Sequence, residues 1–382
     1  VCNVSLFGLF GVGGSTIAAV KLGEGDTEGA LRTYGTITVA SFFIGVILAI
    51  TALLNLENIL IALGATPEIF PYAKDYAIPY LIGTPFCITG AVAYFFTRVD
   101  EQPLPSALAY IIPAVLSILL EFFLIIKRSW GMEGSSIPWI VCVGMTVFLV
   151  PFLQVKGNHF KLTKENIVID FKILFMSLKV GFATFAIQIC TTISIIIINH
   201  QIISYGGGEV QIAAFGVINA YIAYILTIIT SAFTTGLQPI ASFNMGTGAF
   251  RRVAELLKVG IIQSSSVLIG MTILIFIFAD TIVTTFTGQD PGLIRTTIAI
   301  MQVYLLFYAL GNVSQIASGY FQAVEQNGFA FLNGIARIIL FAVPLLLLLP
   351  HIFGLEGIWM AQPGADLLSC ALAVILVIKE YK

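Results

Sequence analysis

The chain has 382 residues, of which 58% are apolar and only 10% charged, and its formal net charge is −2. A soluble domain carries roughly a quarter charged residues, so a mean hydropathy of +1.00 marks a chain built mostly for lipid. The near-neutral charge argues against a nucleic-acid partner, and five cysteines without CxxC spacing argue against a disulfide framework or a metal site.

A membrane span needs about 20 apolar residues. In chain order such stretches fall at about 3–20, 34–56, 75–97, 105–127, 137–155, 172–203, 209–235, 255–286, 295–323, 329–350 and 356–378, which makes eleven. Pro79, Pro85, Pro113, Pro344 and Pro363 lie inside them. In a helix bundle neighbouring groups satisfy the carbonyls that proline frees, so these positions predict bends rather than ends. His159, His200 and His351 sit at segment ends, far apart in sequence. Asn3 and Asn312 fit the glycosylation pattern but fall within spans.

Alternate loops divide the basic residues unequally. Lys21, Arg32, Arg98, Lys156, Lys161, Lys164, Lys172, Arg251, Arg252, Lys258, Lys379 and Lys382 fall on one side, and Lys74, Lys127, Arg128 and Arg295 on the other. The positive-inside bias then puts the first set, and the C-terminus, in the cytoplasm. The expected location is the plasma membrane, crossed many times.

The sequence also repeats. Gly13, Gly23 and Gly25 match Gly236, Gly246 and Gly248 at an offset of 223; Gly64, Pro67 and Tyr80 match Gly288, Pro291 and Tyr304 at 224. Val99-Asp100 answers Val324-Glu325, and Trp130-Gly-Met-Glu-Gly134 answers Phe353-Gly-Leu-Glu-Gly357. Shared apolar richness alone would not keep glycines and prolines in register. A repeat of six spans is even, so the copies should run parallel, related by an axis along the membrane normal. The expected fold is an all-α membrane protein of two six-helix bundles, the first one helix short. Its divisions are residues 1–155, a cytoplasmic linker at 156–172 and residues 173–382. Val1 maps near Tyr224, midway along a span of the second copy, and lies in an apolar run without Met. The chain therefore reads as a fragment lacking one helix and the start of the next.

Two glycine-rich half-motifs stand at matching places: Gly13-Gly-Ser-Thr-Ile-Ala-Ala-Val-Lys-Leu-Gly23, followed by Glu24-Gly-Asp-Thr-Glu-Gly-Ala30, and Gly236-Leu-Gln-Pro-Ile-Ala-Ser-Phe-Asn244-Met-Gly246. Glycine permits a sharp turn at a helix exit and close helix packing. Asp26 and Glu28 suit the positive N-terminus of the next helix, and a solvated cap accounts for them. Gly11–Ser15 lacks the Lys-Ser/Thr pair of a phosphate loop. Both half-motifs, with Gln238-Pro239 and the last span Gly357-Ile-Trp-Met-Ala-Gln-Pro-Gly-Ala-Asp366, resemble the multidrug and toxic compound extrusion (MATE) family. The resemblance covers nearly the whole chain and implies family helices two to twelve.

Transport chemistry should sit on ionisable groups inside spans, where a charge costs roughly 2.5–3.5 kcal/mol on insertion scales. The candidates are Glu121, Lys179, Asp280, Arg337 and Asp366. Glu121 lies deep in its span with no basic neighbour in sequence, which suits proton uptake and release. The stretch Leu116–Ile125 resembles the family's fifth-helix ion site, with Ser117 in place of an Asn, Glu121 in place of an Asp and Phe122 in place of a common Pro. The acids that another branch carries on its seventh and tenth helices are missing; Gln188, Asn199, Gln302, Asn312 and Gln315 are the polar groups there. The resemblance therefore implies coupling through Glu121 and Ser117, by protons more than by sodium. Lys179 can snorkel to the surface, Arg337 reads as structural and Asp280 as near a helix end. Gln188, Tyr304 and Asp366 are the candidates for a substrate cavity.

The expected function is secondary active antiport of amphipathic, often cationic small molecules by alternating access, driven by a proton or Na+ gradient without a cofactor. The expected partners are that substrate and the bilayer, with the protein acting as a monomer. A flippase for a lipid-linked precursor is the alternative and would favour a strongly basic cavity, for which only Arg337 and Lys179 are available. An intramembrane enzyme would need paired catalytic groups within spans, and none is found.

Overall fold

The computed structural model describes residues 2–62, 70–128, 130, 133–163, 166–288 and 290–380. The repeat positions Gly64 and Pro67, Gly131 and Met132 of the later match, and Lys164 and Lys382 of the loop charges lie outside the described residues.

Among the described residues the regular elements are all helices. The long elements are α1 (Ser5–Gly23), α2 (Thr27–Leu54), α3 (Phe70–Val99), α4 (Pro103–Lys127), α5 (Ser136–Lys156), α6 (Phe171–Ser204), α7 (Glu209–Gly246), α8 (Phe250–Ile277), α9 (Pro291–Tyr304), α10 (Tyr308–Ala323), α11 (Asn327–Phe353) and α12 (Leu355–Glu380). Ten are long and apolar enough to cross a membrane, and α9 with α10, bent by 53°, pass the same test only as a pair, which makes up to eleven. The protein is thus a multi-pass membrane protein. Lipid offers no partner to backbone groups, so each span must close its own hydrogen bonds as a helix. Hydroxyls inside the spans do the same locally: Thr33, Thr97 and Thr297 each donate to the carbonyl four residues earlier, at 2.7 Å.

Pro79, Pro85, Pro113 and Pro363 all lie inside helices, as the sequence predicts. Pro344 stands at the start of the α-helical part of α11, just after a π-helical stretch at Ala336–Ala342. Further π stretches occupy Gly8–Val12, Phe122–Lys127 and Ile218–Ile222.

The repeat reappears in local backbone. α2 and α8 each have 28 residues at an offset of 223. Gly25 and Gly248 take φ of +83° and +73° after matching helix ends, and Glu101 and Glu325 take φ of 61° and 59°. Positive φ is uncommon for residues with a side chain, so its recurrence 224 residues apart marks two copies of one turn. One difference between the copies is that α3 runs unbroken past Pro79 and Pro85, whereas its counterpart breaks between Tyr304 and Tyr308.

Two compact units emerge, Cys2–Phe182 and Ala183–Lys382. The division falls within α6 rather than near its first residue, because the start of α6 packs on α1. A Cβ on Gly13 would meet the backbone carbonyl of Ser177, and one on Gly181 the carbonyl of Leu9. The segment after α5 also belongs to the first unit. Phe160 is fully buried, with its ring 5.5 Å from Tyr34 and 5.1 Å from Phe96. Thr36 donates to the Val168 carbonyl at 2.9 Å. The second unit has two cores, one around Phe215, Met301 and Trp359, the other around Leu237, Tyr320 and Phe321.

Candidate functional site

Glu121 ends the α-helical part of α4, and the π-helical turns begin at Phe122. Such local widening recurs at functional sites. Along α4 the less exposed positions are Pro105, Ser106, Ala109, Tyr110, Pro113, Leu116, Ser117, Leu120, Glu121 and Leu124. That spacing of three and four makes one face of a helix, and α4 packs on α5. Ile118, Leu119 and Phe122, on the other face, are exposed. Glu121 and Ser117 therefore share the packed face, one turn apart and half-buried. Among the described residues neither side chain makes a hydrogen bond or an ion pair.

Asp366 has the opposite environment. It is completely buried on α12, and Arg337 on the π-helical stretch of α11 reaches it with Nε and Nη2, each 2.7 Å from Oδ1. Gln362, one turn earlier, donates to the same oxygen at 3.2 Å. Oδ2 is buried without a hydrogen-bond partner. The Arg337 guanidinium lies 5.6 Å from the centre of the Tyr308 ring. The Tyr308 hydroxyl in turn shares a 2.6 Å hydrogen bond with Thr227. Tyr308 is the first residue after the break between α9 and α10, so this chain of contacts ties the bend to α7, α11 and α12. Gly311 leaves the room for it: a Cβ there would press on Asp366 Oδ1 and lie 3.0 Å from Arg337 Nη2.

Of the remaining candidates, Tyr304 stays close enough to Arg337 and Asp366 to interact with their charges, and the others lie apart. Tyr304 is buried in the second unit's core with its ring 6.0 Å from Phe215. Gln188 is half-buried on α6, and among the described residues its side-chain amide makes no hydrogen bond. Lys179 and Asp280 are exposed. Gln238 of the second half-motif donates to Gln322 Oε1 at 2.9 Å, and Gln322 donates to Thr184 at 2.9 Å. Ser242 donates to the Ala323 carbonyl at 3.1 Å. These motif residues fasten the ends of α7 and α10 together.

Two polar clusters escaped sequence reasoning. Asn312 donates to Ser264 at 2.8 Å and Ser265 at 3.2 Å between α10 and α8. Asp100 is completely buried just past α3 and accepts from the backbone amides of Asn158 at 2.8 Å and His159 at 2.7 Å, and from Gln102 at 2.8 Å. A carboxylate in the turn after a span was the available signal, read only as a repeat position.

The architecture is that of a polytopic helical transporter with charged groups held inside the spans. The family profile for MatE matches residues 4–123 and 181–348, and the chain belongs to that family. The multidrug export protein MepA of Staphylococcus saprophyticus is 23% identical over 377 residues, spanning 98% of this chain and 82% of the relative. MepA of Staphylococcus haemolyticus is 24% identical, over 97% and 80%. Among solved structures, an outward-facing multidrug resistance MATE family transporter of the MOP superfamily superposes with a TM-score of 0.91 at 20% identity, covering 99% of this chain and 84% of that one. The MATE multidrug transporter DinF-BH superposes with a TM-score of 0.88 at 27% identity, with the same coverage.

Proposed function

We propose that this protein is a secondary active antiporter that exports amphipathic, often cationic small molecules in exchange for protons, with sodium the less favoured ion. It works by alternating access as a monomer in the plasma membrane, with its C-terminus in the cytoplasm and no cofactor beyond the ion gradient. The names of its relatives support multidrug export as the substrate class. The observation that carries the coupling is the contrast between the two mid-span carboxylates. Asp366 is committed to Arg337, whereas Glu121 holds a packed position at lipid depth without a fixed partner among the described residues. A carboxyl that must load and release a proton needs that freedom.

The same contrast weighs against a lipid-precursor flippase. Such a protein needs free positive charge in its cavity. Arg337 is neutralised by Asp366 and Lys179 is exposed near the start of α6.

Glu121→Gln keeps the shape and a hydrogen-bonding amide but cannot carry a proton. In proteoliposomes with an imposed pH gradient, the variant should bind substrate but lose uphill efflux, and Glu121→Asp should keep part of it. Wild-type efflux in Glu121→Gln would remove this residue from coupling. Efflux that follows a sodium gradient alone would replace the proton by Na+.

A further inference from the structure

The 53° bend between α9 and α10 has no cause in its own sequence. Sharp kinks in helices arise at proline, at glycine or serine pairs, at π-bulges or where a group enters the hydrogen-bond ladder. Leu305, Leu306 and Phe307 at the break include neither proline nor glycine, and leucine favours helix. The first copy of the repeat supplies the comparison. There α3 continues as one helix through Leu81, Ile82 and Gly83, the matching positions, with Pro79 and Pro85 on either side. The stretch that should break stays whole, and the one that should stay whole is broken. Tertiary contacts therefore hold the bend.

The backbone works against them. At the break the amides of Leu306 and Tyr308 donate three residues back, to the carbonyls of Val303 at 3.3 Å and Leu305 at 3.2 Å, instead of four. Such tight turns inside a helix have poorer hydrogen-bond geometry and recur at hinges. A straight span would restore the bonds to the fourth residue, which apolar surroundings reward.

The contacts that oppose straightening converge on the first turn of α10. The Arg337 guanidinium stands 5.6 Å from the centre of the Tyr308 ring. The Tyr308 hydroxyl lies 2.6 Å from Thr227 Oγ1 and donates to the Ala223 carbonyl at 3.3 Å. A Cβ on Gly311 would press on Asp366 Oδ1, so α10 lies directly against the ion pair. Tyr304, the last residue of α9, is close enough to interact with both charges. The pair thus meets both sides of the break, and α7 holds Tyr308 from a third. In the first copy the place of Tyr308 belongs to Thr84, a shorter side chain that donates to the Tyr80 carbonyl of its own helix at 3.1 Å.

We propose that the break between α9 and α10 is a hinge, latched in its bent form by Arg337 and Asp366, and that the span straightens when the latch opens. The second unit then has two forms available to it, and α3 shows the one that the released span takes. The hinge goes beyond the export reading and does not involve Glu121. At 1.5 Å per residue the arms from Arg295 to Tyr304 and from Tyr308 to Ala323 are about 14 and 23 Å long, so undoing the bend lengthens the span between them by about 4 Å.

The test is a pulsed spin-resonance distance measurement on the full chain in lipid nanodiscs. Spin labels enter through a non-natural amino acid at Arg295 and Gln326, both exposed, which leaves the native cysteines in place. Asp366→Leu/Arg337→Met removes the latch without leaving a buried charge and should add a population about 4 Å longer. Tyr308→Phe removes only the hydroxyl bond and should add a smaller population at the same distance. Asp100→Asn, in the first unit, should keep the wild-type distribution. Gel filtration and helix content confirm that each variant is folded. An unchanged distribution in the folded double variant would overturn the proposal, and so would the same shift in Asp100→Asn. Should the double variant fail to fold, an unchanged distribution in Tyr308→Phe would overturn it instead. The measurement uses neither substrate nor gradient, so its failure leaves the export reading standing.

Discussion

Arg337 and Asp366 offer the sharpest stability test in the second unit. Asp366 is 0% exposed and Arg337 14%, and both guanidinium contacts to Oδ1 are 2.7 Å. At an effective dielectric constant of about 20, two unit charges about 3 Å apart attract by roughly 5–6 kcal/mol. Desolvating the two ions costs several kcal/mol each, so the pair as a whole contributes little net stability. Removing one partner is different, because the other remains buried and charged at a cost of about 3–5 kcal/mol. Asp366→Asn and Arg337→Gln should each therefore destabilise by about 3–5 kcal/mol, whereas Asp366→Leu/Arg337→Met should recover most of that loss. The assay is a double-mutant cycle on unfolding in mixed micelles, followed by helix content. Single variants within about 0.5 kcal/mol of wild type, or a double variant as unstable as the sum of the singles, would refute a coupled buried pair.

In the first unit, Asp100→Asn would place an amide opposite two backbone donors and Gln102. A loss of about 1.5–3 kcal/mol is expected, with faster proteolysis between Gly157 and Asp170; unchanged cleavage would show that Asp100 does not hold this segment. Gly13→Ala would drive a methyl into the Ser177 carbonyl and should cost about 1–3 kcal/mol, read as a lower melting temperature. At Gly144, where a Cβ would meet nothing within 4 Å, the same substitution serves as the control.

Much of the fold was legible because lipid makes it a local matter. Where water is absent, a run of about 20 apolar residues must be helical whatever it packs against, so ten of the eleven expected spans are single long helices and the stretch at 295–323 is the bent pair α9 and α10. The turns were legible for a similar reason. Only certain residues tolerate positive φ, and Gly25 and Gly248 mark theirs in the sequence before any packing is known. Other features depend on which helices meet. The break between α9 and α10 occurs at Tyr304-Leu-Leu-Phe-Tyr308, a stretch with neither proline nor glycine. Phe160 looked like part of a polar connection but fills a space between Tyr34 and Phe96. Glu121 and Asp366 are both carboxylates inside apolar spans, equivalent in composition. A guanidinium 29 residues earlier in the chain reaches Asp366 and nothing comparable reaches Glu121 among the described residues. Partner choice inside a bundle is set by helix packing, to which hydropathy and spacing are blind. Tertiary structure alone therefore decided which acid is tied down and which is left without a fixed partner among the described residues.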